Sequence, residues 1–278
     1  MKINELNKEQ KQTKLSPLYK LERKTNLKPL IIFSAISAIV LFIVVALFPM
    51  LDDAMLQLQE MFEGNEEMQK MLSVAIGTQN ITTYFVAQAA QSWAFIGGIY
   101  GAYLGYKLIC GNFKDGSYEV LYVQNLSRTQ ILKHKFLRLI INLLIFSLVN
   151  TVVGLVALLI WGFGEFNVFK YFLYALLVTL MTLQAGVLSF AFATFAHKKY
   201  SVMSAIVFVV ATYFIISFAL SVESLEFLKC LSMFSIAYVD VFNSTVKTFE
   251  IISLIVWTVV PAVLAFLGVK SYKNTDLM

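Results

Sequence analysis

The chain has 278 residues, of which 59% are hydrophobic and only 14% charged. A soluble domain is about 45–50% apolar and about 25% charged, so this composition excludes an ordinary soluble protein and favours a polytopic membrane protein. The net charge of +5 would suggest nucleic acid in a soluble chain; in a membrane protein it marks basic residues held on the cytoplasmic side, and no nucleic-acid partner is expected.

The chain opens on a polar arm, 1–28, with eight Lys/Arg and three acids. Residues 1–15 read as disordered. Ser16-Pro17 pairs an N-cap residue with proline at the first helical position. A helix from Pro17 to Leu27 would carry Arg23, Lys24 and Lys28 beside Leu18 and Leu21. Such a segment is expected to lie along the inner membrane surface as an amphipathic elbow before the first span. Segment 29–51 is uncharged and longer than a signal-peptide core, which predicts a retained span rather than a cleaved signal.

Crossing a bilayer takes roughly 20 apolar residues. Segments 84–109, 139–163, 171–196, 202–222 and 251–269 meet that length and complete a set of six with 29–51. The predicted fold class is therefore all-α: six transmembrane helices in one domain over 29–270, with a short tail. In the loop 52–82, Leu51, Met55, Leu58 and Phe62 oppose Asp52, Asp53, Glu60 and Glu63. That pattern predicts an acidic amphipathic helix, either shaping an exit or acting as a passive cap. Loop 223–250 is semi-apolar, and 227–242 is expected to dip into the outer leaflet.

Charge asymmetry orients the spans. The arm and segment 107–138 hold most of the basic residues, while the opposite side has only Lys70, Lys170, Lys229 and Lys247 among many acids. The positive-inside rule places the basic side, with both termini, in the cytoplasm of a cell-membrane protein.

Within the second span, Gly97, Gly101 and Gly105 recur at i, i+4 and i+8, a small-residue face about 12 Å long. It invites close approach by another helix, either a span of the same chain or one from a second subunit. Polar residues inside the spans are few: Gln88, Gln91, Asn142, Asn150 and Gln184. They either cross-link helices by hydrogen bonds or line a substrate path.

Between spans two and three lies a basic hairpin, 111–138. Ser127 is a good N-cap, Gln130 completes a capping box, and Leu126 with Ile131 forms a hydrophobic staple. A helix starting there would carry Lys133, Lys135 and Arg138 into the third span. Asn125 suits the end of a preceding short helix beginning near Asp115-Gly116, with Tyr118, Leu121 and Tyr122 on one face. The alternative is a solvated loop with no partner.

Several chemistries have no residues to carry them. The sequence has no Gly-x-x-x-x-Gly-Lys-[Ser/Thr] phosphate loop, His-Glu-x-x-His zinc motif or Gly-x-Ser-x-Gly elbow. Cys110 and Cys230 fall on opposite sides of the expected membrane, and no Cys/His cluster suggests a metal site. Glu66-Glu67 lies across the membrane from His134 and His197, which argues against a catalytic constellation.

The hairpin resembles the corresponding loop of type-2, export-class permease subunits of ATP-binding-cassette (ABC) transporters. The resemblance rests on Asp115-Gly116-Ser117-Tyr118-Glu119, on Leu126-Ser127-Arg128, and on Lys133 and Lys135. Asn125 stands where the family often has proline, and Asn112 where an acid is common. The six-span order, the large first outer loop, the basic arm and the tail Tyr272-Lys273-Asn274-Thr275-Asp276-Leu277 extend the likeness.

The resemblance implies a cytoplasmic coupling helix between spans two and three, contacting an ATPase through Asp115, Gly116, Tyr118, Glu119, Leu121, Tyr122, Leu126, Ser127 and Arg128. It implies two separate ABC ATPase chains carrying ATP and Mg, none of it bound by this chain. It also implies a second permease copy or related subunit, and export of an amphipathic or hydrophobic cargo. The rival expectation is a six-span intramembrane enzyme or scaffold not coupled to ATP.

Overall fold

The computed structural model describes residues 2–51, 54, 80–111, 127–162, 164, 166–196, 201–221, 223–239, 241–242 and 248–274. The described residues are almost wholly helical. The expected acidic helix in 52–82 falls largely outside them, as do the short helix near 115–125, Leu126, His197 and the tail beyond Asn274.

The first helix, α1, runs from Lys2 to Ala46 without interruption, and helical hydrogen bonding continues to Leu51. This corrects two expectations. No helix starts at Pro17, no elbow turns before the span, and 2–15 belongs to the same helix. The physical reason is visible at Pro29. Proline has no N–H, so the carbonyl four residues earlier, Thr25, loses its helical donor. The Lys107 ammonium supplies one instead, at 3.2 Å from Thr25 O. With that carbonyl satisfied, the helix has no need to break.

The second helical run begins with a short helix, Ile81–Tyr84, capped by Asn80 Oδ1, and a π-turn at Phe85–Ala89. It continues as α2, Ala90–Tyr106, and ends in a second π-turn at Lys107–Gly111. Then come α3 (Arg128–Trp161), α4 (Val168–Ala196) and α5 (Val202–Ser221). Two 3₁₀ segments, Glu223–Leu231 and Met233–Tyr238, lead to α6 (Thr248–Asn274).

Among the described residues, five helices are long and apolar enough to cross a membrane: Lys24–Leu51 of α1, α3, α4, α5 and Thr248–Tyr272 of α6. The remaining expected span, 84–109, has an α-helical part of only 17 residues between its two π-turns. At 34 residues, α3 is about 51 Å long against a hydrocarbon core of about 30 Å. Its charged first turns, through Arg138, therefore project beyond the apolar layer.

α2 and α4 form the centre of the bundle, and their contact is the most extensive between any two helices. A Cβ on Gly101 would stand 2.8 Å from Thr182 O, and one on Gly105 would stand 2.5 Å from Gly186 O. Only hydrogen fits at these points, so the two backbones touch. Ser189 Oγ donates to Ala102 O at 2.6 Å and fixes the register of the pair. Around this spine the core is aromatic, with Trp93, Tyr100, Phe146, Tyr171 and Tyr174 fully buried.

The outer faces carry exposed Ile32, Ile36 and Ile43 on α1 and Ile255, Val259 and Phe266 on α6. Such continuous apolar surface suits lipid rather than water. α6 is the most peripheral of the candidate spans, with 17% of its apolar window buried against 61% for α4.

Candidate functional site

The hairpin root is built by local sequence. Ser127 Oγ accepts from Gln130 N at 3.3 Å, and Ser127 N donates back to Gln130 Oε1 at 3.1 Å. The capping box satisfies the Ser127 amide and gives the Gln130 amide, which also donates to Ser127 O at 2.9 Å, a second acceptor. Arg128 follows as the first residue of α3, half-buried. Asp115, Gly116, Tyr118, Glu119, Leu121, Tyr122 and Leu126 lie outside the described residues.

Two lysines bind this root to the rest of the bundle. Lys135, two turns into α3, is almost fully buried. Its ammonium donates to Leu108 O in the π-turn that ends α2, and forms an ion pair with Glu22 of α1 at 3.1 Å. Lys107, in the same π-turn, reaches Thr25 O and lies 5.7 Å from the Tyr103 ring centre. Asn26 Nδ2 donates to Glu22 O at 3.0 Å. Three helices therefore meet at one end of the bundle through two ammonium groups, and both ammoniums contact backbone carbonyls. One of those carbonyls was released by Pro29; the other sits in a widened helical turn.

The opposite end is held differently. The 3₁₀ segment Met233–Tyr238 is buried inside the bundle, with Met233, Phe234 and Ala237 inaccessible. Non-helical backbone at such depth must find its partners within the protein. Ala237 O accepts from Gln91 Nε2 at 3.1 Å and from Tyr174 Oη at 2.7 Å. Ser232 Oγ donates to Thr212 O at 2.7 Å, Ser253 Oγ donates to Ser232 O at 3.0 Å, and Trp257 Nε1 donates to Cys230 O at 3.3 Å. Burial raises the Tyr238 phenol above the ordinary tyrosine range, and Tyr213 beside it raises it further, so it stays a neutral hydroxyl.

The five intramembrane polar residues do not converge. Gln88 is exposed. Gln91 bridges Val86 O, in the first π-turn, and Ala237 O. Asn150 accepts from Ser37 Oγ at 2.7 Å and donates to Phe146 O, linking α1 to α3. Gln184 donates to Thr258 Oγ1 at 3.0 Å, linking α4 to α6. Asn142 is fully buried, and among the described residues neither its Nδ2 nor its Oδ1 has a hydrogen-bond partner.

Gly97, Gly101 and Gly105 all face α4 of the same chain. Neither Cys110 nor Cys230 forms a disulfide. Among the described residues no group of His, Cys, Asp and Glu is placed to hold a metal ion.

Sequence reasoning passed over the lysine clamp. Its signals were present: Pro29 inside an apolar helix leaves a carbonyl to be matched, and Glu22 is the single acid in the second half of a basic arm.

A long basic helix foot and a bundle with a continuous apolar outer surface suit a membrane transport subunit. The family model for the ABC-2 family transporter protein matches residues 17–277, nearly the whole chain. The chain belongs to this family. It is an ABC-2 type permease, a multi-pass membrane protein whose family associates with an ABC ATPase. The chain matches no curated protein and no solved structure.

Proposed function

We propose that this permease is the membrane half of an ATP-driven exporter, with six spans and both termini in the cytoplasm. The sixth span is the helical run 81–111, whose π-turns lengthen α2 at both ends. Two copies, or one copy with a related permease, assemble with two ATPase chains that hold ATP and Mg. The hairpin 113–130 receives the ATPase motion through Asp115, Tyr118, Glu119 and Arg128. The cargo is amphipathic or hydrophobic: a peptide, a drug or a lipid-like molecule.

The observation that supports coupling is the lysine clamp. Displacing the foot of α3 moves Lys135, and Lys135 holds both Glu22 of α1 and Leu108 of α2. A push at the hairpin therefore reaches three membrane helices at once, which is what a lever between inward-facing and outward-facing packing requires.

The test is co-purification with the cognate ATPase, followed by cargo-stimulated ATP hydrolysis. Glu119→Lys and Arg128→Glu are expected to abolish recruitment while the permease remains folded. Unchanged recruitment and hydrolysis in both variants would remove the hairpin from the coupling path.

A further inference from the structure

We propose that a groove between α4 and α6 takes cargo from the lipid side and selects molecules that carry a hydrogen-bond donor, such as an amide N–H, on an apolar body. The inference rests on the export reading and narrows its cargo class. The groove holds about 440 Å³, within the range of small-molecule sites. Leu183 and Val187 of α4 and Ala262 and Ala265 of α6 form its walls. Thr258 and Ala262 are exposed on the outer face of α6, so the groove opens toward lipid.

Two acceptors in this apolar wall lack a donor for local reasons. Gln184 lines the groove and is only 4% exposed. Its Nε2 donates to Thr258 Oγ1 at 3.0 Å, so the amide spans from α4 to α6. Among the described residues its Oε1 has no partner. Thr258 cannot supply one, because its hydroxyl already donates to Leu254 O at 2.6 Å. Pro261, also in the lining, has no N–H, so Trp257 O one turn earlier loses its helical donor. Hydrocarbon offers no donor to either oxygen, and an unmet buried acceptor is costly.

Depth decides between ligands. Gln184 stands near the middle of α4, and Pro261 near the middle of α6. A phospholipid head group lies about 15 Å from the midplane of a hydrocarbon core about 30 Å thick, so its donors do not reach these oxygens. An acyl chain reaches them but brings no donor. A molecule that carries an N–H into the bilayer interior on an apolar frame matches both the acceptors and the wall.

The test uses the full chain in detergent, without ATPase, titrated under native mass spectrometry with N-dodecylacetamide or its N-methyl counterpart, which differ by one donor. Wild type is expected to hold the N–H amide about tenfold more tightly, the worth of one buried hydrogen bond. Gln184→Met keeps the side-chain length, removes the acceptor and should erase that preference. Pro261→Ala restores a donor to Trp257 O and should weaken the preference; it reads the same selection should Gln184→Met fail to fold. Ala262→Trp, a change at the exposed wall, should lower binding of both amides with an unchanged unfolding temperature.

Equal affinity for the two amides in wild type overturns the proposal. So does a preference that survives Gln184→Met or, if that variant fails to fold, one that is unchanged in Pro261→Ala. Unaltered binding in Ala262→Trp places the amide elsewhere and also overturns it, as does exclusion of both amides by retained phospholipid or a second copy, seen as adducts or dimers in the same spectrum. Binding is read without ATP hydrolysis. Loss of amide selection therefore leaves the export reading standing, and failed ATPase recruitment leaves the groove standing as a binding site.

Discussion

The two ends of this bundle solve the same problem with different chemistry. At the end where α3 begins, displaced carbonyls on α1 and α2 are met by ammonium groups, from Lys107 to Thr25 and from Lys135 to Leu108. At the other end one ammonium also meets a carbonyl, Lys170 to Phe242 O, but the carbonyls of the 3₁₀ segments and α5 are met by neutral donors on short or rigid side chains: Ser232, Ser253, Tyr174 and Trp257. A lysine head sits on a flexible four-carbon stem and can follow a carbonyl that moves; a serine hydroxyl cannot. The lysine clamp at the first end is built to keep contact while its helices shift, and the buried 3₁₀ core of the second to hold one arrangement.

The sharpest way to break that contrast is at Lys135. Lys135→Met removes the partner of Glu22, a carboxylate that is itself buried. Leaving one charge of a buried pair unmatched costs about 3–5 kcal/mol. Thermal unfolding in detergent should show that loss, and Glu22→Leu added to Lys135→Met should recover most of it. If the single variant is as stable as wild type, the clamp does not hold the foot of α3.

Both ends hang on the α2–α4 spine, so Gly105→Ala tests what they share. The added Cβ meets backbone at Gly186 O and Phe190 N, neither of which can rotate away. The expected loss is about 1–3 kcal/mol in the same assay, in the range of core overpacking. A neutral outcome would mean that the helices separate easily and that the ends are not joined through a rigid centre.

A smaller effect separates the ends by their response to salt. Ser232→Ala removes a neutral bond to Thr212 O and should cost about 1 kcal/mol, independent of ionic strength. Lys107→Met removes a charged contact at an exposed position, and its cost should shrink as salt is added. Equal salt dependence in the two variants would erase the distinction drawn between the ends.

What could be read from the sequence follows how local each interaction is. The Ser127–Gln130 capping box is a contact at i, i+3, and four residues are enough to specify it. The glycine face of α2 was visible as spacing, but its partner on α4 was not, because spacing carries no address. The separate elbow helix expected from Pro17 to Leu27 is absent for the same reason, since α1 runs unbroken from Lys2 to Ala46. The donor that lets α1 run through Pro29 lies 82 residues from Thr25, and no local rule anticipates it. The burial of the segment after α5 depends on Gln91, 146 residues from Ala237. The coupling set named from the family likeness, from Asp115 to Leu126, lies outside the described residues, so its geometry adds nothing to the sequence argument.

The smallest expected effect is also the most discriminating for the transport path. Asn142 and Asn150 lie two turns apart on α3, both fully buried. Asn150 is matched on both of its polar atoms, by Ser37 Oγ and Phe146 O. Replacing it by leucine strands the Ser37 hydroxyl and should cost about 1 kcal/mol. Asn142 has no partner on either atom among the described residues, so Asn142→Leu removes a desolvation penalty rather than a bond, and stability should change by less than about 0.5 kcal/mol or rise. If Asn142→Leu keeps its unfolding temperature and loses cargo-stimulated ATP hydrolysis, the amide belongs to the path the cargo takes. If both properties persist, Asn142 is a tolerated defect in the core, and the path runs elsewhere.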